Sequence, residues 1–67
     1  MQNDFVARRL VTLRCACGKS QQLVADFCGI SQAALSRYEC GERVPDGLVL
    51  LRLAAFYGVG VEELLAA

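Results

Sequence analysis

The sequence predicts an all-α fold, a compact bundle of five short helices forming one domain over residues 1–67, on three observations. Gly18, Gly29, Gly41, Pro45 and Gly58 punctuate the chain into short segments, as residues that interrupt regular structure do. Within those segments apolar residues recur at spacings of three and four, the period of one helix face, and no stretch alternates as a strand would. Hydrophobic residues make up 55% of the chain and proline occurs once, a globular composition. A chain of 67 residues has room for one core and none for a second domain.

Each helix has its own signature. The first, about residues 4 to 17, aligns Val6, Leu10, Leu13 and Cys17 on one face. Ser20 suits the N-cap of a second helix ending at Cys28, because a serine hydroxyl accepts from an otherwise unpaired backbone N–H. Gly29 suits the left-handed residue that ends it. Ser31 caps a third helix running to about Cys40, which Gly41 stops. Asp46, after Pro45, starts a fourth that carries Leu50, Leu53, Ala54 and Tyr57 at i, i+3, i+4 and i+7 and closes at Gly58. The last, "VEELLAA", places Glu62 and Glu63 in its first turn, where carboxylates suit the positive end of the helix dipole.

Composition narrows the function. Seven basic and seven acidic side chains cancel, so the overall basic excess of many nucleic-acid binders is missing and any such role rests on local charge placement. "MQNDFVARRLV" has no apolar stretch of secretion-signal length, and the longest greasy run, "GLVLLRLAAFYGVGV", is too short to span a membrane and carries Arg52. A cytoplasmic protein without a membrane partner is expected. Cys15, Cys17, Cys28 and Cys40 lack the paired Cys-x-x-Cys spacing of a zinc site, and the chain has no histidine. They are read as reduced cysteines acting as small hydrophobes, with a redox or metal switch as the alternative. No metal or cofactor is expected. An enzyme is disfavoured by the lack of histidine, of a phosphate-cradling glycine loop and of a nucleophile beside a base.

The second and third helices carry the motif. Two short helices joined by a glycine-containing turn form a helix-turn-helix, which needs a small residue at the helix contact, glycine in the turn and a buried anchor in the second helix. Counting from Gln21, Ala25, Gly29 and Leu35 meet those needs. "LVTLR", "SQQLVADFCGISQAALSRYECGERVP" and "LAAFYGVGVEELL" are in order and register along residues 6 to 65. In these blocks the chain resembles the lambda-repressor-like (Cro-type) helix-turn-helix proteins of phage and bacterial regulators. The resemblance implies double-stranded DNA as partner, with the second helix of the motif in the major groove and its first residues nearest the base edges.

Helical geometry then divides the third helix. Ala34, Leu35 and Tyr38 share an inward face, while Gln32, Ala33, Ser36 and Arg37 occupy the outward arc. Gln32 is expected to read adenine, because one amide can donate to N7 and accept from N6. Arg37 suits a guanine edge or a phosphate, Ala33 a thymine methyl, and Ser36 is short and permissive. Lys19, Gln21 and Arg43 flank this face as phosphate contacts, and the resemblance implies that Gln21 also supports Gln32. It further implies a partly buried, structural salt bridge between Arg14 and Glu39. The plain alternative for the outward arc is a solvated helix side.

Leu23 and Phe27 stand where the family's second helix is usually polar, Leu48, Val49 and Phe56 add apolar area to the fourth, and Gly60 replaces a common Ser or Asp cap. These side chains form either a thicker core margin or a partner surface, for which a second copy through the last two helices is favoured. The expected function is a sequence-specific, repressor-like DNA-binding regulator acting on a palindromic operator as a homodimer. The alternative is a protein-interaction module that keeps the fold without binding DNA.

Overall fold

A computed structural model describes residues 2–65, with side chains from residue 5 onward. It contains α1 (Gln2–Cys17), α2 (Gln21–Cys28), α3 (Gln32–Cys40), α4 (Gly47–Tyr57) and α5 (Val61–Leu65). The five helices follow the segments expected from the glycine and proline breaks. Ala66 and Ala67, assigned to the last helix from sequence, lie outside the described residues.

Serine and aspartate caps set the helix starts. Ser20 Oγ accepts from Leu23 N–H at 3.1 Å, Ser31 Oγ from Ala34 N–H at 3.0 Å, and Asp46 Oδ1 from Val49 N–H at 2.9 Å. Each such cap contributes about 0.5–2 kcal/mol relative to alanine. Gly29 ends α2 at φ 71°, where its N–H and that of Ile30 return to carbonyls of the last turn. A Cβ at position 29 would be strained by that φ and would meet Arg52 Nη1 at 3.1 Å. Arg52 is already engaged there, donating from Nη1 to the Cys28 carbonyl at 3.1 Å. An α4 side chain thus satisfies a carbonyl at the end of α2.

These short helices bury one shared core. α1 packs on α3 and α5, α2 on α3 and α4, and α4 on α5. Leu10, Leu35, Leu53, Leu64, Val24 and Cys28 are fully enclosed, each large aliphatic side chain contributing about 1.5–3 kcal/mol by leaving water. Ala25 is also fully buried, as the close approach of α2 and α3 requires.

Two expectations are corrected. Cys17 does not continue the inward face of α1: every residue from Cys15 to Ser20 is exposed, because the end of that helix stands clear of the core. Ala7, beside Val6, is buried in the preceding turns. Val49 is not partner surface, since it is 8% exposed and belongs to the core cluster, whereas its neighbour Leu48 is 57% exposed. One helical step separates the two, so α4 buries Val49, Leu50, Leu53 and Ala54 as one face and turns Leu48 outward.

The four thiols are free: Cys15, Cys17 and Cys40 are exposed and Cys28 is buried. Burial pushes the Cys28 thiol above its ordinary pKa, against a smaller opposing effect of Arg52. Alkylation of the folded chain near pH 8, followed by mass spectrometry, is expected to add three groups rapidly and the fourth only on unfolding. Equal rates at all four cysteines contradict this packing.

Candidate nucleic-acid interface

The corner between α2 and α3 consists of Gly29, Ile30 and Ser31. It is held by the Gly29 turn on one side and the Ser31 cap on the other. Leu35 then fastens α3 to the core, with Ala34 and Tyr38 half-buried beside it. The opposite side of α3 faces out: Gln32, Ala33 and Arg37 are exposed, and Ser36 is half-buried at the edge of that arc. The expected division into packed and presented faces is therefore observed. Lys19 and Arg43 are exposed at the α1–α2 turn and after α3, while Gln21, the first residue of α2, is half-buried.

Behind the outward arc lies a polar network. Arg14 grips Glu39 with two parallel hydrogen bonds, Nε to Oε2 at 2.7 Å and Nη2 to Oε1 at 3.0 Å. Such a fork adds direction to charge attraction. The Arg14 side chain is 20% exposed and that of Glu39 4%, so the pair is screened less than a surface one. The hydrogen bond to Glu39 raises the Arg14 pKa further, outweighing the lowering effect of burial. Arg14 Nη1 also donates to the Lys19 carbonyl at 3.0 Å, so one guanidinium ties α1 to both the α1–α2 turn and α3.

From Glu39 the network runs outward. Gln21 Nε2 donates to Glu39 Oε1 at 2.9 Å, and Gln32 Nε2 donates to Gln21 Oε1 at a longer 3.4 Å. Gln21 thus stands between the buried ion pair and the exposed Gln32. The link from Gln21 to Glu39 is not apparent in the sequence, where the two are 18 residues apart and share no periodic pattern. Close to this network the Tyr57 hydroxyl is buried without a hydrogen-bond partner among the described residues. Its pKa is raised chiefly by burial, with Glu39 adding to the effect and Arg14 opposing it.

The apolar surface is broader than expected. Leu23, Phe27 and Leu48 are exposed as anticipated, joined by Val44, Leu51 and Leu65. Phe56 is only half-exposed because it packs edge-on against Phe27, with ring centroids 5.0 Å apart.

With this geometry in view, a family model described as helix-turn-helix matches residues 10–64. The chain belongs to the lambda-repressor-like helix-turn-helix family. A relative from Bacillus subtilis (strain 168), the SPbeta prophage-derived uncharacterized HTH-type transcriptional regulator YonR, is 40% identical over 57 residues. That alignment takes in 85% of this chain and 53% of the relative, so the chain spans about half the length of the curated relative it matches. The fold also matches the P22 c2 repressor protein, whose crystal structure is in complex with synthetic operator 9T in the presence of Tl+. The TM-score is 0.89 at 26% identity, covering 92% of this chain and 94% of that one. In this helix-turn-helix, α2 and α3 are the two helices of the motif.

Removing one partner of a buried pair leaves the other charge uncompensated and costs about 3–5 kcal/mol. Because Arg14 keeps a fifth of its side chain in water, Glu39→Ala is expected near the lower end of that range. Urea unfolding followed by circular dichroism measures it, and a loss within about 0.5 kcal/mol, as at ordinary surface sites, means that the pair does not hold α1 to α3.

Proposed function

We propose that this chain is a sequence-specific double-stranded DNA-binding transcriptional regulator of the repressor-like kind, a single helix-turn-helix domain that occupies a palindromic operator as a homodimer. The observation that carries the reading is the outward arc of α3, a polar edge presented by the second helix of the motif and backed by a fixed network. Its support from relatives is the fold match to a repressor in complex with an operator and the sequence match to an HTH-type transcriptional regulator.

The mechanism follows from the face. α3 enters the major groove with Gln32 foremost, and Gln32 pairs with adenine through one donor and one acceptor. Ala33 meets a thymine methyl, Ser36 accommodates either base edge, and Arg37 takes a guanine edge or a phosphate. Lys19, Gln21 and Arg43 hold the phosphates on either side and set the register. Local placement of Lys19, Arg37 and Arg43 offsets the zero net charge of the chain, because salt-dependent attraction depends on the phosphates neutralised at the contact. DNA as partner places the protein in the cytoplasm, and the function requires no cofactor.

The homodimer reading rests on area and on exposed side chains. A single module buries only about 600–1,000 Å² on DNA, and two-fold pairing presents two reading helices about 34 Å apart. Leu48 and Leu51 of α4 and Leu65 of α5 supply exposed apolar surface for that pairing. Phe27 and Phe56 form an aromatic pair bridging α2 and α4, and Leu23, one turn before Phe27, is exposed on α2. This apolar surface favours a second reading, a protein-interaction module that does not bind DNA.

Selection of duplexes from a random pool at two salt concentrations separates these readings. Enrichment of an inverted repeat, weaker at the higher salt and losing one base preference in Gln32→Ala, is the expected result. The lost discrimination at that base pair is about 1–3 kcal/mol. No enrichment at low salt overturns the regulator in favour of the interaction module.

A further inference from the structure

The polar network behind α3 has a direction, and that direction bears on which base is read. An ionised carboxylate only accepts hydrogen bonds, and a guanidinium only donates them. Glu39, filled from one side by Arg14 Nε and Nη2, therefore takes the amide NH2 of Gln21 on Oε1. The opposite orientation of Gln21 would set two acceptors against each other beside a carboxylate that is 4% exposed, where an unmet polar group is most costly. With its nitrogen committed inward, Gln21 has its oxygen left for Gln32, and that oxygen accepts from Gln32 Nε2. Gln32 thereby commits one N–H to the protein and retains one N–H and its carbonyl for a partner.

That remainder matches adenine, which offers an acceptor at N7 and a donor at N6, and it mismatches guanine, which offers acceptors at both N7 and O6. We propose that Glu39 is a specificity-determining residue: through Gln21 its acceptor-only carboxylate sets the amide orientation of Gln32 and so selects adenine over guanine. Glu39 is a positioning residue here, acting two side chains away from the base, and the inference rests on the DNA-binding reading above.

Glu39→Gln provides a sharp test because it changes hydrogen-bond polarity while keeping shape. Arg14, which can only donate, keeps its shorter bond, from Nε at 2.7 Å, by claiming the new amide oxygen where Oε2 stands, gives up the Nη2 bond, and leaves the NH2 facing Gln21. Gln21 then presents oxygen inward and nitrogen outward, its nitrogen occupies the Gln32 carbonyl, and Gln32 is left with two N–H donors, the complement of guanine. The measurement is affinity by fluorescence anisotropy for two duplexes differing only at the base pair whose preference is lost in Gln32→Ala. The full chain is used throughout.

The wild type is expected to favour adenine by about 5- to 150-fold, the equivalent of one good bidentate pair. In Glu39→Gln the ratio is expected to fall to parity or reverse. A purely structural Glu39 lowers affinity for both duplexes equally and leaves the ratio alone. Glu39→Asp, which keeps a carboxylate for Arg14 while drawing the acceptor back from Gln21, decides the matter if Glu39→Gln does not fold, and is expected to reduce the ratio at least threefold. An unchanged ratio in the folded variants, or a wild-type preference for guanine, overturns this inference and leaves DNA binding intact. Absence of any specific wild-type binding overturns the DNA-binding reading, and this inference with it.

Discussion

A helix of nine residues, the length of α3, does not persist in water by itself, since isolated helices shorter than about 12–15 residues are marginal. Everything that α3 presents therefore depends on how it is held from behind. Leu35 supplies the hold, fully enclosed among core residues that include Val24, Ala25 and Leu53. The same enclosure fixes the rotation of the helix about its axis. Once Leu35 points inward, Gln32, Ala33 and Arg37 point outward, because a periodic structure offers no independent choice.

Hydrophobic burial sets that rotation but has little directional preference of its own. The Arg14 and Glu39 fork adds direction, since two parallel bonds tolerate less rotation than one. Its placement is economical in contacts. Arg14 joins α1, the α1–α2 turn and α3 through a single side chain, and Gln21 extends the same connection into α2. The ion pair and the apolar core thus constrain the same corner by different physics, one through geometry and the other through exclusion of water.

Much of this organisation is legible in the sequence. Helix ends were marked by chemistry that acts locally, with Ser20, Ser31 and Asp46 accepting from nearby N–H groups and glycines adopting left-handed turns. The outward arc of α3 was legible because polar and apolar residues alternate there with a clear period. In α4 the run "GLVLL" contains no polar residue to mark the edge of the buried face, so sequence pattern does not separate Val49, which is buried, from Leu48, which is exposed. Cys17 departs from its expected face for a related reason: periodicity gives the direction of a side chain but not whether a neighbour lies there to cover it. The Gln21 and Glu39 contact had no local signal, since it arises only when three helices close around it.

The Arg52 bond to the Cys28 carbonyl bears on how this corner can change over generations. A side chain at position 29 would strain a φ of 71° and crowd Arg52 Nη1 as well. Asparagine, the residue that best tolerates such a φ after glycine, would relieve the first problem and not the second. Shifting the guanidinium would lengthen its bond to the acceptor at the end of α2. Positions 29 and 52 are thus coupled: a side chain in place of the turn glycine is accommodated only as the arginine on the facing helix gives by a few tenths of an ångström.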